Sequence, residues 1–194
     1  MLASHAVAQE ARLEETESGL TPTSKGWFVV NVGDAAWMTQ PTFGSYCRFE
    51  GTEARFPDIG INIHVLEPGQ PNCYYHWETN EEHFLVLSGE CTLIVDGTER
   101  PLRAWDFVHC PPGTEHVFVG AGDAPSAILM VGGRTREDGG AYPASEVALR
   151  YGAGVEQETA SPEEAYAAQP RAEPDRPERW NALPWATRAP SRSA

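Results

Sequence analysis

The chain has 194 residues, with 14 lysines and arginines against 28 aspartates and glutamates, so its formal net charge is -14. This acidic balance argues against nucleic acid or an anionic membrane surface as a partner. No apolar run approaches the ~20 residues that a membrane-spanning helix needs, and the N-terminus lacks the basic flank and apolar stretch of a secretory signal.

The length suits one folded domain with extensions. We expect an N-terminal arm over residues 1–26, a barrel over residues 27–135 and a C-terminal extension over residues 136–194. The arm is expected to be flexible or to dock, and a short helix over residues 6–17 is one interpretation of it. The cysteines have no paired spacing, which favours free thiols in a reducing cytoplasm; they are Cys47, Cys73, Cys91 and Cys110.

Short apolar runs bounded by Gly, Pro and Asp recur from Trp27 to Val131, and this pattern predicts a β-sandwich or β-barrel. Asp96-Gly97 separates two strand-like runs, which is a strong signal for a β-hairpin. There is no internal repeat and no alternation of strands with helices. The chain is therefore predicted to be all-β.

Four side chains in this region could hold a metal ion. His76, Glu78 and Glu82 lie on one strand-like stretch, and residues two apart on a strand point to the same face. Glu82 shares that face if residues 79–80 turn without changing the alternation. His116 begins the strand that returns after Pro111-Pro112-Gly113. Imidazole nitrogen and carboxylate oxygen together suit divalent iron, manganese, zinc or nickel.

These residues stand in two motifs that resemble those of the cupins. Between Gly69 and Gly89, His76 and Glu82 are in register with the first cupin motif. Pro111, Gly113 and His116 fit the second motif. The resemblance implies a cupin jelly-roll β-barrel, also called a double-stranded β-helix, in which three His and one Glu bind the metal. By position the metal ligands here would be His76, Glu78, Glu82 and His116.

Glu78 stands where the family has its second histidine. It is either a fourth ligand or a free acid or base. As a ligand it would give a two-His, two-carboxylate set that is neutral with a divalent ion and favours manganese or ferrous iron. Otherwise Glu78 would be the catalytic general base beside the ion, or an acid or base in a pocket that has lost its metal.

Alternation along the strands also predicts the wall of the pocket. His64 could project inward, whereas His83 and His109 are expected to lie outside the site. An aromatic and apolar wall suits a small organic ligand. The expected wall residues are Tyr74, Phe84, Phe118, Trp105 and Met130.

The C-terminal extension contains one helix signal and one apolar cluster. Ser161-Pro162 before two glutamates predicts a short helix near residues 161–168, with Ser161 as its N-cap. The remainder is rich in Pro, Arg and Ala and is expected to be extended. Trp180, Leu183 and Trp185 are expected to dock on the barrel or on a second subunit.

Three functions agree with the sequence. The first is a metal-dependent oxygenase, isomerase or decarboxylase that acts on a small organic molecule. The second is a metal-free enzyme that resembles the sugar epimerases among the cupins. The third is a protein that binds a small ligand without turnover.

The resemblance also implies a homodimer, because cupins of this type commonly pair by exchanging edge strands. We expect static light scattering at micromolar concentration to give twice the chain mass of 21.2 kDa. The mass of a single chain would rule out the dimer.

Overall fold

The fold is known from a computed structural model, which describes residues 8–134 and 139–186. The described part contains fourteen β-strands and two short α-helices, so the all-β prediction is confirmed. The strands are β1 Leu13–Thr16, β2 Gly19–Pro22, β3 Ala36–Gln40, β4 Gly44–Arg48, β5 Ile59–Leu66, β6 Trp77–Glu78, β7 Glu82–Ser88, β8 Glu90–Val95, β9 Thr98–Arg103, β10 Phe107–Cys110, β11 His116–Ala121, β12 Ser126–Gly133, β13 Gly140–Ala141 and β14 Glu173–Pro174.

Two antiparallel sheets form the barrel. The larger sheet has the strand order β10-β7-β12-β5-β4-β3-β14, and the smaller has the order β11-β8-β9. Buried apolar side chains fill the space between them. The core cluster includes Leu66, Phe84, Val86, Leu93, Phe118 and Ile128.

The predicted hairpin is confirmed. Strands β8 and β9 pair from Val95↔Thr98 outward, with Asp96 and Gly97 as the two turn residues. Both have positive φ, 44° and 72°, as the type I′ turn requires. The hairpin fixes the register of the smaller sheet, whose other edge carries β11 and His116.

Strand β5 shows how alternation divides the two faces of the larger sheet. Ile63 and Val65 belong to a cluster on the outer face. Leu66 belongs to the cluster inside the barrel, and Asn62 and His64 line a pocket there. One strand therefore supplies both the outer core and the wall of the interior cavity.

The short helix predicted over residues 6–17 is wrong where the structure describes that segment. Leu13–Thr16 pairs instead with Gly19–Pro22 as an antiparallel hairpin. The hairpin docks through backbone bonds from Leu20 N to Asp34 O and from Trp37 N to Ser18 O, each 2.8 Å. The backbone amide groups of this segment are thus bonded across the hairpin and to residues 34–37, and not within a helix. Contacts with another part of the chain therefore decide that the segment is a hairpin.

The C-terminal extension packs on the outer face of the larger sheet. Trp37 is fully buried, and its ring lies 5.5 Å from that of Trp180 and 5.6 Å from that of Trp185. Leu183 is also buried in this cluster. Docking of the tail on the barrel, one of the two predicted arrangements, is therefore what the structure shows.

The C-terminal extension contains two short α-helices. Helix α1 spans Glu146–Arg150, and helix α2 spans Pro162–Ala165. Ser161 caps α2, because its Oγ accepts a hydrogen bond from Glu164 N at 3.2 Å. Within residues 8–134 and 139–186, no helix is long and apolar enough to cross a bilayer.

We predict that Leu183→Ala lowers the free energy of unfolding by about 2–4 kcal/mol, because it leaves a cavity in the cluster around Trp37. Chemical denaturation followed by tryptophan fluorescence measures this change. Leu149→Ala is the matched control, since Leu149 is 41% exposed on α1, and it should cost less than about 1 kcal/mol. Equal losses in the two variants would contradict the docking.

Candidate functional site

Backbone pairing brings His76 and His116 side by side. His76 lies outside the strands and forms an isolated antiparallel bridge with His116, the first residue of β11. His116 N donates to His76 O at 2.8 Å, and His76 N donates to His116 O at 3.2 Å. Their ring centroids are 5.1 Å apart. The segment before β6 thus delivers one imidazole to the edge of the smaller sheet.

Glu82 comes from the larger sheet. It begins β7, and its Oε2 lies 3.4 Å from His116 Nε2. Its in-register neighbours across β12 and β5 are Gly132 and Gly60. Glycines in strand interiors leave space at the sheet surface, and both line the pocket in front of Glu82. The site therefore lies where the two sheets meet.

Three of the four predicted side chains converge. One ligand atom each from His76, Glu82 and His116 lies within 4.8 Å of the others. We call these residues the trio. Glu78 is not part of this group, although its Oε1 lies 3.6 Å from His76 Nε2. Its side chain is 42% exposed, against 14% for Glu82, so it stands at the mouth of the site.

Backbone carbonyls orient both imidazoles. Nδ1 of His76 lies 2.8 Å from Tyr74 O, and Nδ1 of His116 lies 3.0 Å from Thr114 O. A carbonyl oxygen only accepts, so each Nδ1 carries the hydrogen and donates it. Each Nε2 is then the nitrogen available as a metal ligand. This donor set of two imidazoles and a carboxylate suits a divalent ion.

The three titratable side chains of the trio are buried close together, and this shifts the pKa of each. Burial and the Glu78 carboxylate raise the pKa of Glu82 to about 7. Burial and the neighbouring His76 lower the pKa of His116 to about 4. Burial opposes the charged form of His76, but Cys73, Glu78 and Glu82 raise its pKa well above 6.5. A divalent ion competes with these protons for the same atoms.

The trio opens into a cavity of about 380 Å³, which we call the trio pocket. Phe84 and Met130 line it, as predicted. Phe118 does not line the cavity as predicted: it is fully buried one layer behind Phe84, with 4.6 Å between the rings. The cavity falls within the size range of small-molecule sites.

Two predicted wall residues lie elsewhere. Trp105 is 74% exposed, with φ 77°, in a turn between β9 and β10, so its placement in the wall is wrong. Tyr74 packs instead against Phe43 and Tyr166, with ring centroids 4.9 Å away in both cases. Backbone conformation at the turn, which alternation cannot supply, decides where Trp105 points.

The other histidines lie as predicted. His64 lines the trio pocket. His83 and His109 are paired in register across β7 and β10, and their ring nitrogens lie 3.1 Å apart. With the exposed Glu81 they form a second group that could hold a metal ion, separate from the trio.

Several lining residues were missed from the sequence. Gly60 and Gly132 form the open row beside Glu82; a glycine within an apolar strand run was the signal that could have found them. Arg55 and Arg134 also line the trio pocket. They lie outside the strands, and the sequence carries no periodicity that would place them there.

Comparisons with known proteins agree on one family. The model of the Cupin domain family matches residues 62–132, which contain His76, Glu78, Glu82 and His116. A search of curated proteins gave no match.

Solved structures with similar folds include three enzymes or assigned enzymes. A sugar phosphate isomerase of the cupin superfamily from Silicibacter pomeroyi is 25% identical, with a TM-score of 0.50 over 58% of this chain and 79% of that one. A protein assigned as a sugar phosphate isomerase from Acidithiobacillus ferrooxidans is 30% identical, with a TM-score of 0.41 over 43% of this chain. A polyketide cyclase from Streptomyces resistomycificus is 17% identical, with a TM-score of 0.49 over 56% of this chain and 80% of that one.

The chain spans 55% of the length of the Acidithiobacillus protein. The likeness to the polyketide cyclase concerns the fold alone. With its paired antiparallel sheets and a cupin domain over residues 62–132, this chain belongs to the cupin superfamily.

Proposed function

We propose that this cupin is a metal-dependent isomerase that acts on a small hydroxy-carbonyl compound. One observation carries the proposal: the trio gathers three donor atoms within 4.8 Å, and a second carboxylate, that of Glu78, stands beside it but outside the group. Such an arrangement separates a metal-binding role from a proton-transfer role. The similarity to the Silicibacter pomeroyi sugar phosphate isomerase supports the choice of reaction.

In this proposal His76, Glu82 and His116 hold a divalent ion, with iron, manganese, zinc and nickel as the candidates. An ion bound there would act as a Lewis acid toward a carbonyl oxygen. The Nδ1 bonds to Tyr74 O and Thr114 O hold the two rings in place. Phe84 and Met130 line the inner side of the site with apolar surface.

Glu78 is proposed as the general base. Its closeness to His76 lowers the pKa of Glu78, so the carboxylate is ionised at neutral pH. A divalent ion held at His76 would act in the same direction. It would take the proton from the carbon next to the carbonyl group and return it to the former carbonyl carbon. The hydroxyl proton moves in the same direction, from the oxygen on that neighbouring carbon to the former carbonyl oxygen, so no oxidant or reductant is consumed. Glu78 also lines a neighbouring groove of about 320 Å³, which gives a route for substrate.

A second candidate is a metal-dependent oxygenase. Two histidines and one carboxylate around open positions are typical of non-haem iron(II) oxygenases, and the trio has this composition. Oxygen consumption by the iron-loaded protein would favour this candidate. Proton exchange that proceeds equally well without oxygen would favour the isomerase.

We predict that His76→Ala and His116→Ala each reduce bound metal at least tenfold, because each removes one donor of the trio. Elemental analysis of freshly purified protein, and of protein reconstituted with iron, manganese, zinc or nickel, measures this loss. His83→Ala is the comparison variant: it disrupts the separate group with His109, so it should remove any metal held there and leave the metal held by the trio in place. Full occupancy in either trio variant would refute the site. No metal even in the parent protein would favour a metal-free epimerase or a ligand-binding role.

We predict that Glu78→Gln retains the metal but loses activity about 10²- to 10⁴-fold, the usual contribution of a general base. The assay follows exchange of substrate carbon-bound hydrogen in deuterium oxide by NMR, with a panel of aldose and ketose phosphates. Glu81→Gln, an exposed neighbour, is the matched control. Loss of metal in Glu78→Gln would make Glu78 a ligand instead, and unchanged exchange would remove it from the chemistry.

A further inference from the structure

Strand β5 places two polar side chains, each with an unpartnered buried atom, on the wall of the trio pocket. Asn62 and His64 are two residues apart, so they share the inner face of the sheet. Both line the trio pocket. Asn62 Oδ1 and His64 Nδ1 are shielded from solvent, and neither has a hydrogen-bond partner among the described residues. Buried polar atoms normally have partners, so this pair calls for an explanation.

The register of the sheet places the pair deeper than Glu82. Phe84 on β7 aligns through Met130 with Asn62, and Val86 aligns through Ile128 with His64. Successive rows on one face are about 7 Å apart along the strands. A ligand that reaches from the trio into the barrel therefore passes Asn62 first and His64 next.

A second cavity adjoins the trio pocket. It measures about 480 Å³ and is lined by His64 and Asn72, which also line the trio pocket. Its far wall is the C-terminal segment after α2, including Gln169. His64 and Asn72 thus form part of the wall between the two cavities, and the trio pocket itself, at about 380 Å³, has room for several carbon atoms past the trio.

The chemistry of the pair suits hydroxyl groups. Asn62 Oδ1 only accepts, so it needs a donor. Burial lowers the pKa of His64 to about 4, and its ring is therefore neutral, with one nitrogen that donates and one that accepts. A hydroxyl group both donates and accepts, so it satisfies either atom. An apolar ligand would leave both unpaired.

We propose that Asn62 and His64 bind hydroxyl groups of the substrate, which is therefore a polyhydroxylated carbon chain. This inference rests on the proposed function for the reacting end of the molecule, which the trio holds. It assigns the discrimination between hydroxylated and plain carbon chains to β5. A site built to bond a hydroxyl rejects the analogue that lacks it more strongly than an apolar site rejects an extra methylene.

The test compares sodium gluconate with sodium hexanoate by titration calorimetry. Both probes have six carbons and one carboxylate, but only gluconate carries hydroxyls. We expect the parent protein to prefer gluconate at least tenfold, and Asn62→Leu and His64→Phe each to reduce this preference about three- to tenfold, as the loss of a hydrogen bond implies. The Kd for hexanoate should stay the same or fall in both variants, because each removes a polar atom that hexanoate leaves unpaired.

Controls separate a specific effect from misfolding. His109→Phe, on the outer face, should leave the preference unchanged. His64→Gln keeps a donor and an acceptor and should retain most of the preference, whereas His64→Phe should not. Thermal melting of each variant identifies any that fails to fold. If His64→Phe does not fold, the comparison of Asn62→Leu with His64→Gln and the parent protein decides the test.

The titrations are run with manganese-loaded and with metal-free protein. A preference for gluconate in either state that is lost in the two variants supports the inference. No preference in either state, or a preference that both variants retain, overturns it and leaves the pair as a site for water only. Metal that binds without any preference refutes this inference alone. A preference without metal binding refutes the proposed function alone.

Discussion

The antiparallel bridge between His76 and His116 is the interaction on which the site depends. Its two reciprocal backbone bonds join the segment after β5 to the first residue of β11. Because the bridge fixes both backbones, the two rings meet at 5.1 Å, and the carbonyl groups of Tyr74 and Thr114 then set their orientation. Backbone bonds, rather than contacts between the rings, thus preorganise the donor atoms.

Glycine and alternation together make the space that the site needs. Gly132 and Gly60 leave the surface open beside Glu82. Two residues from Gly132 along β12, Met130 restores an apolar wall. The polar groups left in this space are costly without partners. Clusters packed elsewhere offset that cost, in particular the one around Trp37 on the outer face.

The C-terminal extension links stability to the shape of the cavity. Trp180, Leu183 and Trp185 close the outer face of the larger sheet. The segment between α2 and β14 closes the second cavity on the inside. The C-terminal extension therefore contributes to the hydrophobic core and to the wall of the second cavity.

Local patterns determined much of this protein. Asp96-Gly97 specified its turn because few residue types other than glycine, asparagine and aspartate readily adopt positive φ. Alternation of side chains along the strands placed His83 and His109 outside the site and His64 inside it. The positions of His76, Glu82 and His116 in the two cupin-like motifs indicated the trio. The shared strand expected for His76 and Glu82 is wrong, since they lie on separate segments that only the fold brings together.

Only the tertiary structure decided the remainder. It made a hairpin of residues 13–22, turned Trp105 outward and set Glu78 apart from the trio. Two of these outcomes depend on partners distant in sequence: residues 34–37 for the hairpin, and Gly140 on β13 for Glu78. Such pairings leave no periodic trace in the chain, because their free energy is gained only when both segments are already in place.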